Sequence, residues 1–103
     1  MEYYIKEAIK EAEKSYKKKD VPVGAIIVYK NKIIARGHNR RLKTHDVTNH
    51  AEIIAIKKAA KKIKDWRLNE CDLYVTLEPC SMCKEIIKES RIQNVFYLIE
   101  KPS

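Results

Sequence analysis

Between residues 3 and 16 apolar side chains recur every three or four positions, at Tyr4, Ile5, Ala8, Ile9, Ala12 and Tyr16, with Glu and Lys between them. That period predicts an amphipathic helix whose charged residues face water. The run "KKKD" breaks it. "VPVGAIIVY", from Val21, is apolar and β-branched, with Pro22 at its start where a missing donor is tolerated, and predicts a strand. "KNK" supplies a turn and "IIARGHN" a second strand, giving a hairpin. Arg40 to Asn49 is polar and irregular and predicts a loop. A second helix follows in "HAEIIAIKKAAKKIK", with Ile53, Ile54, Ile56, Ala59, Ala60 and Ile63 on its apolar face. "DWRLNECD" connects to a strand in "LYVTLE". Pro79 then opens a short helix running to Ser90, with Met82, Ile86 and Ile87 expected to point inward, and "NVFYLI" is a last strand. The order α-β-β-α-β-α-β predicts parallel neighbours joined by right-handed crossovers.

Length and charge narrow the setting. A chain of 103 residues forms one domain, expected over 1–103. No run reaches the roughly 20 apolar residues of a membrane helix. The amino terminus "MEYYIKEAIKEAEK" lacks the basic-then-apolar layout of a signal peptide, so no membrane partner and a cytoplasmic setting are expected. In a reducing compartment the three cysteines read as metal ligands or catalytic groups rather than a disulfide framework. The net charge of +8 favours a polyanionic partner, although Lys57, Lys58, Lys61, Lys62 and Lys64 read equally as a solvated helix face.

Two short stretches carry candidate chemistry: "HAE" at residues 50–52 and "PCSMC" at 79–83. Residues two apart on a helix point in nearly opposite directions, so His50 and Glu52 share a site only if it lies off the helix end. Cys80 and Cys83, three apart, share one face of a first turn that follows a strand. If both helices start at the same sheet edge, His50, Cys80 and Cys83 supply three ligands of mixed nitrogen and sulfur, a set that suits zinc with a fourth position open. Glu52 would then act as general acid and base beside it.

Other readings compete at single residues. Asn49 and Glu52 have capping-box spacing. "CSMC" also has the spacing of a redox pair, and Cys71 is either a fourth ligand or a small buried hydrophobe. His38 and His45 read as hydrogen-bonded loop residues and Trp66 as a packing residue. Tyr3, Tyr4 and Tyr16 read as core or rim of the first helix, and Arg40 and Arg41 as possible phosphate holders.

The H-x-E…P-C-x-x-C pattern is the known signature of zinc nucleobase deaminases. From Val21 to about Phe96 the sequence resembles the bacterial tRNA adenosine deaminase family more closely than the signature alone requires. The resemblance runs through "VPVGAIIV", "GHNRR", "HDVTNHAEIIAI" and "DWRLNECDLYVTLEPCSMC". It implies a cytidine deaminase-like three-layer α-β-α fold with a mixed sheet. It also implies zinc (Zn2+) held by His50, Cys80 and Cys83, and proton transfer by Glu52. Asn39 is similar to the family asparagine that hydrogen-bonds the flipped purine, and the Ala51 N–H to the one approaching the attacked carbon. The implied reaction is hydrolytic deamination of the wobble adenosine in a tRNA anticodon loop, by a homodimer. Where family members continue with a further helix, strand and terminal helix, the sequence ends at "LIEKPS", so a fold without the C-terminal strand and helix is expected. Val47 and Asn49 stand where the family commonly has Pro and Ala. Deamination of a free guanine or cytosine-type base or nucleotide, and an inactive zinc-binding module, are the alternatives.

Overall fold

The computed structural model describes residues 2–101. Its helices are α1 (Glu2–Lys17), α2 (Arg41–Thr44), α3 (Ala51–Ile63) and α4 (Ser81–Glu89), and its strands β1 (Gly24–Tyr29), β2 (Lys32–His38), β3 (Cys71–Leu77) and β4 (Asn94–Ile99). The sheet order is β2-β1-β3-β4. β1 pairs antiparallel with both β2 and β3, and β3 pairs parallel with β4, so the sheet is mixed.

The expectation of parallel neighbours holds for β3-α4-β4. It fails for β2-α3-β3, because β1 lies between those two strands and α3 crosses over it. The hairpin explains this. β1 has an apolar residue at nearly every position and is buried on both faces, so it takes a central place, leaving the Arg- and His-bearing β2 at the edge.

Side chains alternate across the sheet and build a core on each face. Ile26, Val28 and Tyr74 face α1, where Tyr4, Ile5 and Phe96 join them. Ala25, Ile27, Leu73 and Val75 face the other way, against Ala55, Ile56, Ala59 and Ile87 of α3 and α4. Full burial of one such aliphatic side chain contributes about 1.5–3 kcal/mol. Two glycines set how closely the helices approach. A Cβ on Gly24 would run into the backbone of α1 at Ala8 and Ala12, and one on Gly37 would lie 2.5 Å from the Ala51 carbonyl oxygen at the start of α3. β2 carries a bulge: Ile27 pairs with Ala35 and Val28 with Ile33, leaving Ile34 as the extra residue. Ile33 therefore packs on the α1 side and Ile34 on the α3 side.

Several expectations change. α1 turns Glu7 and Glu11 inward, with Ser15, while Tyr3 and Tyr16 are exposed. The edge strand is the reason: Arg36 Nη2 donates to Glu7 Oε1 at 2.7 Å, and His38 Nδ1 lies 3.3 Å from Glu11 Oε1. Met82 is exposed, whereas Ile86 and Ile87 pack inward as expected and Cys83 is buried beside them. Trp66 is also exposed, its ring flanked by the guanidinium groups of Arg67 and Arg91, each 5.6 Å away. The stretch read as a loop contains the short α2.

Candidate active site and metal centre

α3 and α4 begin at the same edge of the sheet, and their N-cap residues are His50 and Cys80. Ser, Thr, Asp and Asn are preferred at such positions because their side chains bond the free N–H groups of the first turn. Neither His50 nor Cys80 makes a side-chain cap bond. Both turn toward a shared point instead. His50 Nδ1 lies 3.4 Å from Cys83 Sγ and 4.0 Å from Cys80 Sγ, and all three donor atoms lie within 4.8 Å of one another. Tetrahedral zinc with bonds of about 2.0–2.3 Å holds its ligand atoms roughly 3.5–3.8 Å apart, so the two separations from His50 bracket that spacing and the trio as a whole closes by no more than about 1 Å to fit. It is the one such group of His, Cys, Asp or Glu among the described residues.

The surroundings suit that donor set. Burial, and then the Arg41 charge, push the His50 imidazole below its usual range, which favours the neutral ring that binds metal. The Val47 backbone acts on the same ring in the opposite sense and offsets this only in part. Burial, reinforced by Glu52 and Cys80, pushes the Cys83 thiol far up, so this arrangement of acids and thiols calls for a cation. Cys71 is no fourth ligand. It is buried at the start of β3, and the seven residues of that strand put it roughly 20 Å from the site.

Glu52 is 3% exposed, and burial raises its pKa, offset in part by its own backbone N–H and by Cys83. The capping-box reading fails, because Asn49 donates to Thr44 Oγ1 and α3 is capped from elsewhere. Asn39 does that work: its Oδ1 accepts the Ala51 N–H at 2.8 Å. Its own N–H donates to the Val23 carbonyl at 3.1 Å, and its carbonyl accepts the Ser15 hydroxyl at 2.9 Å. One buried residue thus ties the segment leading into β1, α1 and the start of α3 together and sets where His50 sits. The Ala51 N–H is engaged by Asn39.

These groups open onto a cleft of about 230 Å3 lined by Asn39, His50, Glu52 and Cys80 with Val21, Val23, Arg41, Leu77, Glu78 and Lys101. Sequence reasoning anticipated the first four. Glu78 and Lys101 went unread as site residues. Glu78 accepts the Lys84 ammonium at 2.9 Å and the Lys101 N–H at 3.0 Å, and only its place beside "PCSMC" hints at this. His38 and His45 stay outside the cleft: His38 packs against Glu11, and His45 ends α2 in a left-handed conformation.

Comparison with known proteins agrees with this geometry. The family profile described as "Cytidine and deoxycytidylate deaminase zinc-binding region" matches residues 1–99. The tRNA-specific adenosine deaminase of Aquifex aeolicus is 46% identical over 96 residues, covering 93% of this chain and 64% of that protein. Its counterpart from Bacillus subtilis is 47% identical over 96 residues, covering 93% and 60%. The chain therefore spans a little under two-thirds of the length of these curated relatives. A structure solved in work on A-to-I editing by tRNA:A34 deaminases superimposes with a TM-score of 0.95 at 40% identity, covering 97% of this chain and 77% of that one. Guanine deaminase from Bacillus subtilis superimposes with a TM-score of 0.92 at 39% identity, covering 96% and 64%. With a family profile that spans nearly the whole of it, the chain belongs to the cytidine and deoxycytidylate deaminase zinc-binding family.

Proposed function

We propose that this protein is a zinc-dependent hydrolase that deaminates adenosine to inosine in RNA, its substrate being the wobble adenosine of a tRNA anticodon loop. The observation carrying this reading is the convergence of His50, Cys80 and Cys83 beside the buried Glu52, in a chain about 46% identical to tRNA-specific adenosine deaminases. His50, Cys80 and Cys83 would hold the zinc, which when bound supplies a Lewis acid that makes water nucleophilic near neutral pH.

Hydrolytic deamination replaces the exocyclic amine at C6 of adenine with oxygen from water and releases ammonia. Glu52 is the proton carrier: it accepts a proton from the attacking water and returns one to the leaving amine. Its raised pKa supports this, because a carboxyl closer to neutrality takes up and gives back a proton more readily. Asn39 is assigned to the base. Its amide nitrogen makes no hydrogen bond among the described residues, while the Ala51 N–H holds its oxygen and so fixes the side chain's orientation. The cleft of about 230 Å3 falls below the roughly 300–1,000 Å3 of sites for drug-sized ligands, a size in keeping with one small planar group. The same reading includes the homodimer and the cytoplasmic setting. The charge of +8 supports a phosphate-bearing partner, and no helix among the described residues is long and apolar enough to cross a membrane.

Deamination of a free purine is the second reading, favoured by the likeness to guanine deaminase. Incubating zinc-loaded protein with an anticodon stem-loop and sequencing the product for inosine separates the two. The Glu52→Gln protein is expected to lose all turnover, at least about a thousandfold, while retaining one zinc per chain by atomic absorption. Undiminished turnover in that variant would remove the enzymatic assignment of Glu52.

A further inference from the structure

A larger hollow of about 420 Å3 adjoins the catalytic cleft, and Val21 and Arg41 line both. Its rim is apolar and open to solvent: Val21 is 45% exposed, Leu42 62% and Val47 70%. Its carboxylates are already occupied. Asp20 accepts the N–H groups of Val21 and Leu42 at 2.7 and 3.1 Å, and Asp46 accepts the N–H and hydroxyl of Thr48 at 2.8 and 2.6 Å. Its cations are not. Among the described residues neither Arg41 nor Lys19 enters an ion pair, and Arg41 Nε is buried with no acceptor.

An unpaired guanidinium N–H buried between a base-sized cleft and an apolar shelf is costly unless an anion completes it. A nucleic acid strand presents that alternation, with apolar base faces joined by anionic links. We propose that Arg41 holds the phosphodiester joining the target nucleoside to its neighbour, and that the neighbour's base lies on the shelf of Val21, Leu42 and Val47. The substrate class is then a single strand of at least two nucleotides. This rests on reading the His50–Glu52 cleft as the site of the reacting base.

The test uses the zinc-loaded full chain with a stem-loop RNA carrying adenosine in its loop, and with free adenosine. Arg41→Ala is expected to raise KM for the RNA about tenfold with kcat within about twofold, and Arg41→Lys to recover part of the loss. Leu42→Ser is expected to raise KM severalfold, because the exposed side chain supports the base and not the fold. In fluorescence anisotropy the salt dependence of RNA binding should become shallower by about one phosphate contact in Arg41→Ala. Leu42→Ser should change turnover of free adenosine, which has no neighbouring base to rest on the shelf, by no more than about twofold. An Arg41→Ala protein with unchanged KM and salt slope overturns the proposal while leaving the deaminase reading intact. Equal losses for RNA and free adenosine in Leu42→Ser overturn it too, since that side chain would then serve the cleft and not a neighbouring base. If the wild-type chain makes no inosine but its RNA binding weakens on Arg41→Ala, the clamp stands and the deaminase reading falls.

Discussion

Asn39 shows how a residue assigned to substrate also positions the site. Its buried amide oxygen supplies the cap that His50 does not give α3. Asn39→Ala leaves the buried Ala51 N–H unpaired and should cost about 1–2 kcal/mol, read as a lower urea midpoint, with weaker zinc retention because His50 is next in chain. An unchanged midpoint would show that the bond contributes nothing. On the far side of β2, His38 and Glu11 form a second titrating pair. Burial lowers His38, only partly opposed by Glu11, and its Nε2 is buried without a partner. Burial alone would raise Glu11, but its bonds to Lys14 and His38 outweigh that and hold it below the usual carboxylate range. Lys14, Lys18 and Arg36 are the cations that face the pair. Below about pH 6.5 the unfolded chain takes up a proton at His38 that the folded chain refuses. Further down, the unfolded chain protonates Glu11 while the folded chain keeps it ionised. Both signs agree, so the urea midpoint of the wild type relative to a His38→Gln, Glu11→Gln double variant, a difference from which the opposite effect of buried Glu52 cancels, should fall from about pH 7 to about pH 4, and a rise over that range would contradict the pairing. The grouping of His50, Cys80 and Cys83 beside Glu52 was legible in sequence because metal chemistry ties residue type to spacing. The inward turn of Glu7 and Glu11 was not, because periodicity cannot show that the facing strand carries Arg36 and His38.

At the scale of elements, the long periodic segments α1, α3 and α4 and all four strands were readable to within a few residues. α2 was not: four residues are too few to show a period, and its place depends on Asp20 and Asn49 reaching in from outside it. The bulge at Ile34 was equally hidden, since two adjacent isoleucines fit either face until the register is known. Tyr16 and Met82 fell on the apolar side by spacing, yet the sheet beneath them is already covered. Close approach at the two glycines gives this scale its test. Gly37→Ala should push the start of α3 away from β2, costing about 1–3 kcal/mol and loosening zinc as well, because the displaced turn carries His50. Gly24→Ala should cost as much or more, yet act through α1 with less effect on metal affinity. Equal effects of the two on zinc would argue against α3 as the element that aims the ligand.

Over the whole molecule, the hairpin followed by two crossovers brings two helix starts to one edge of the sheet, and this turns distant motifs into one site. Strand count and the parallel β3–β4 pair followed from element order, while the place of β1 between β2 and β3 depended on which strand is apolar on both faces. Among the described residues β4 is one of the two edge strands, the other being β2. Val95, Tyr97, Leu98 and Ile99 are exposed on β4, an arrangement prone to pairing between chains. Replacing Tyr97 and Ile99 with Lys should lower light scattering on heating without altering zinc content, and unchanged scattering would clear this edge of responsibility. X-ray absorption at the zinc edge of the purified protein tests the metal centre most directly. Two sulfur atoms and one histidine nitrogen from the chain, with one further light atom and the same spectrum in Cys71→Ala, are expected. Three sulfurs, or zinc bound equally well after His50→Ala, would contradict the site assembled from His50, Cys80 and Cys83.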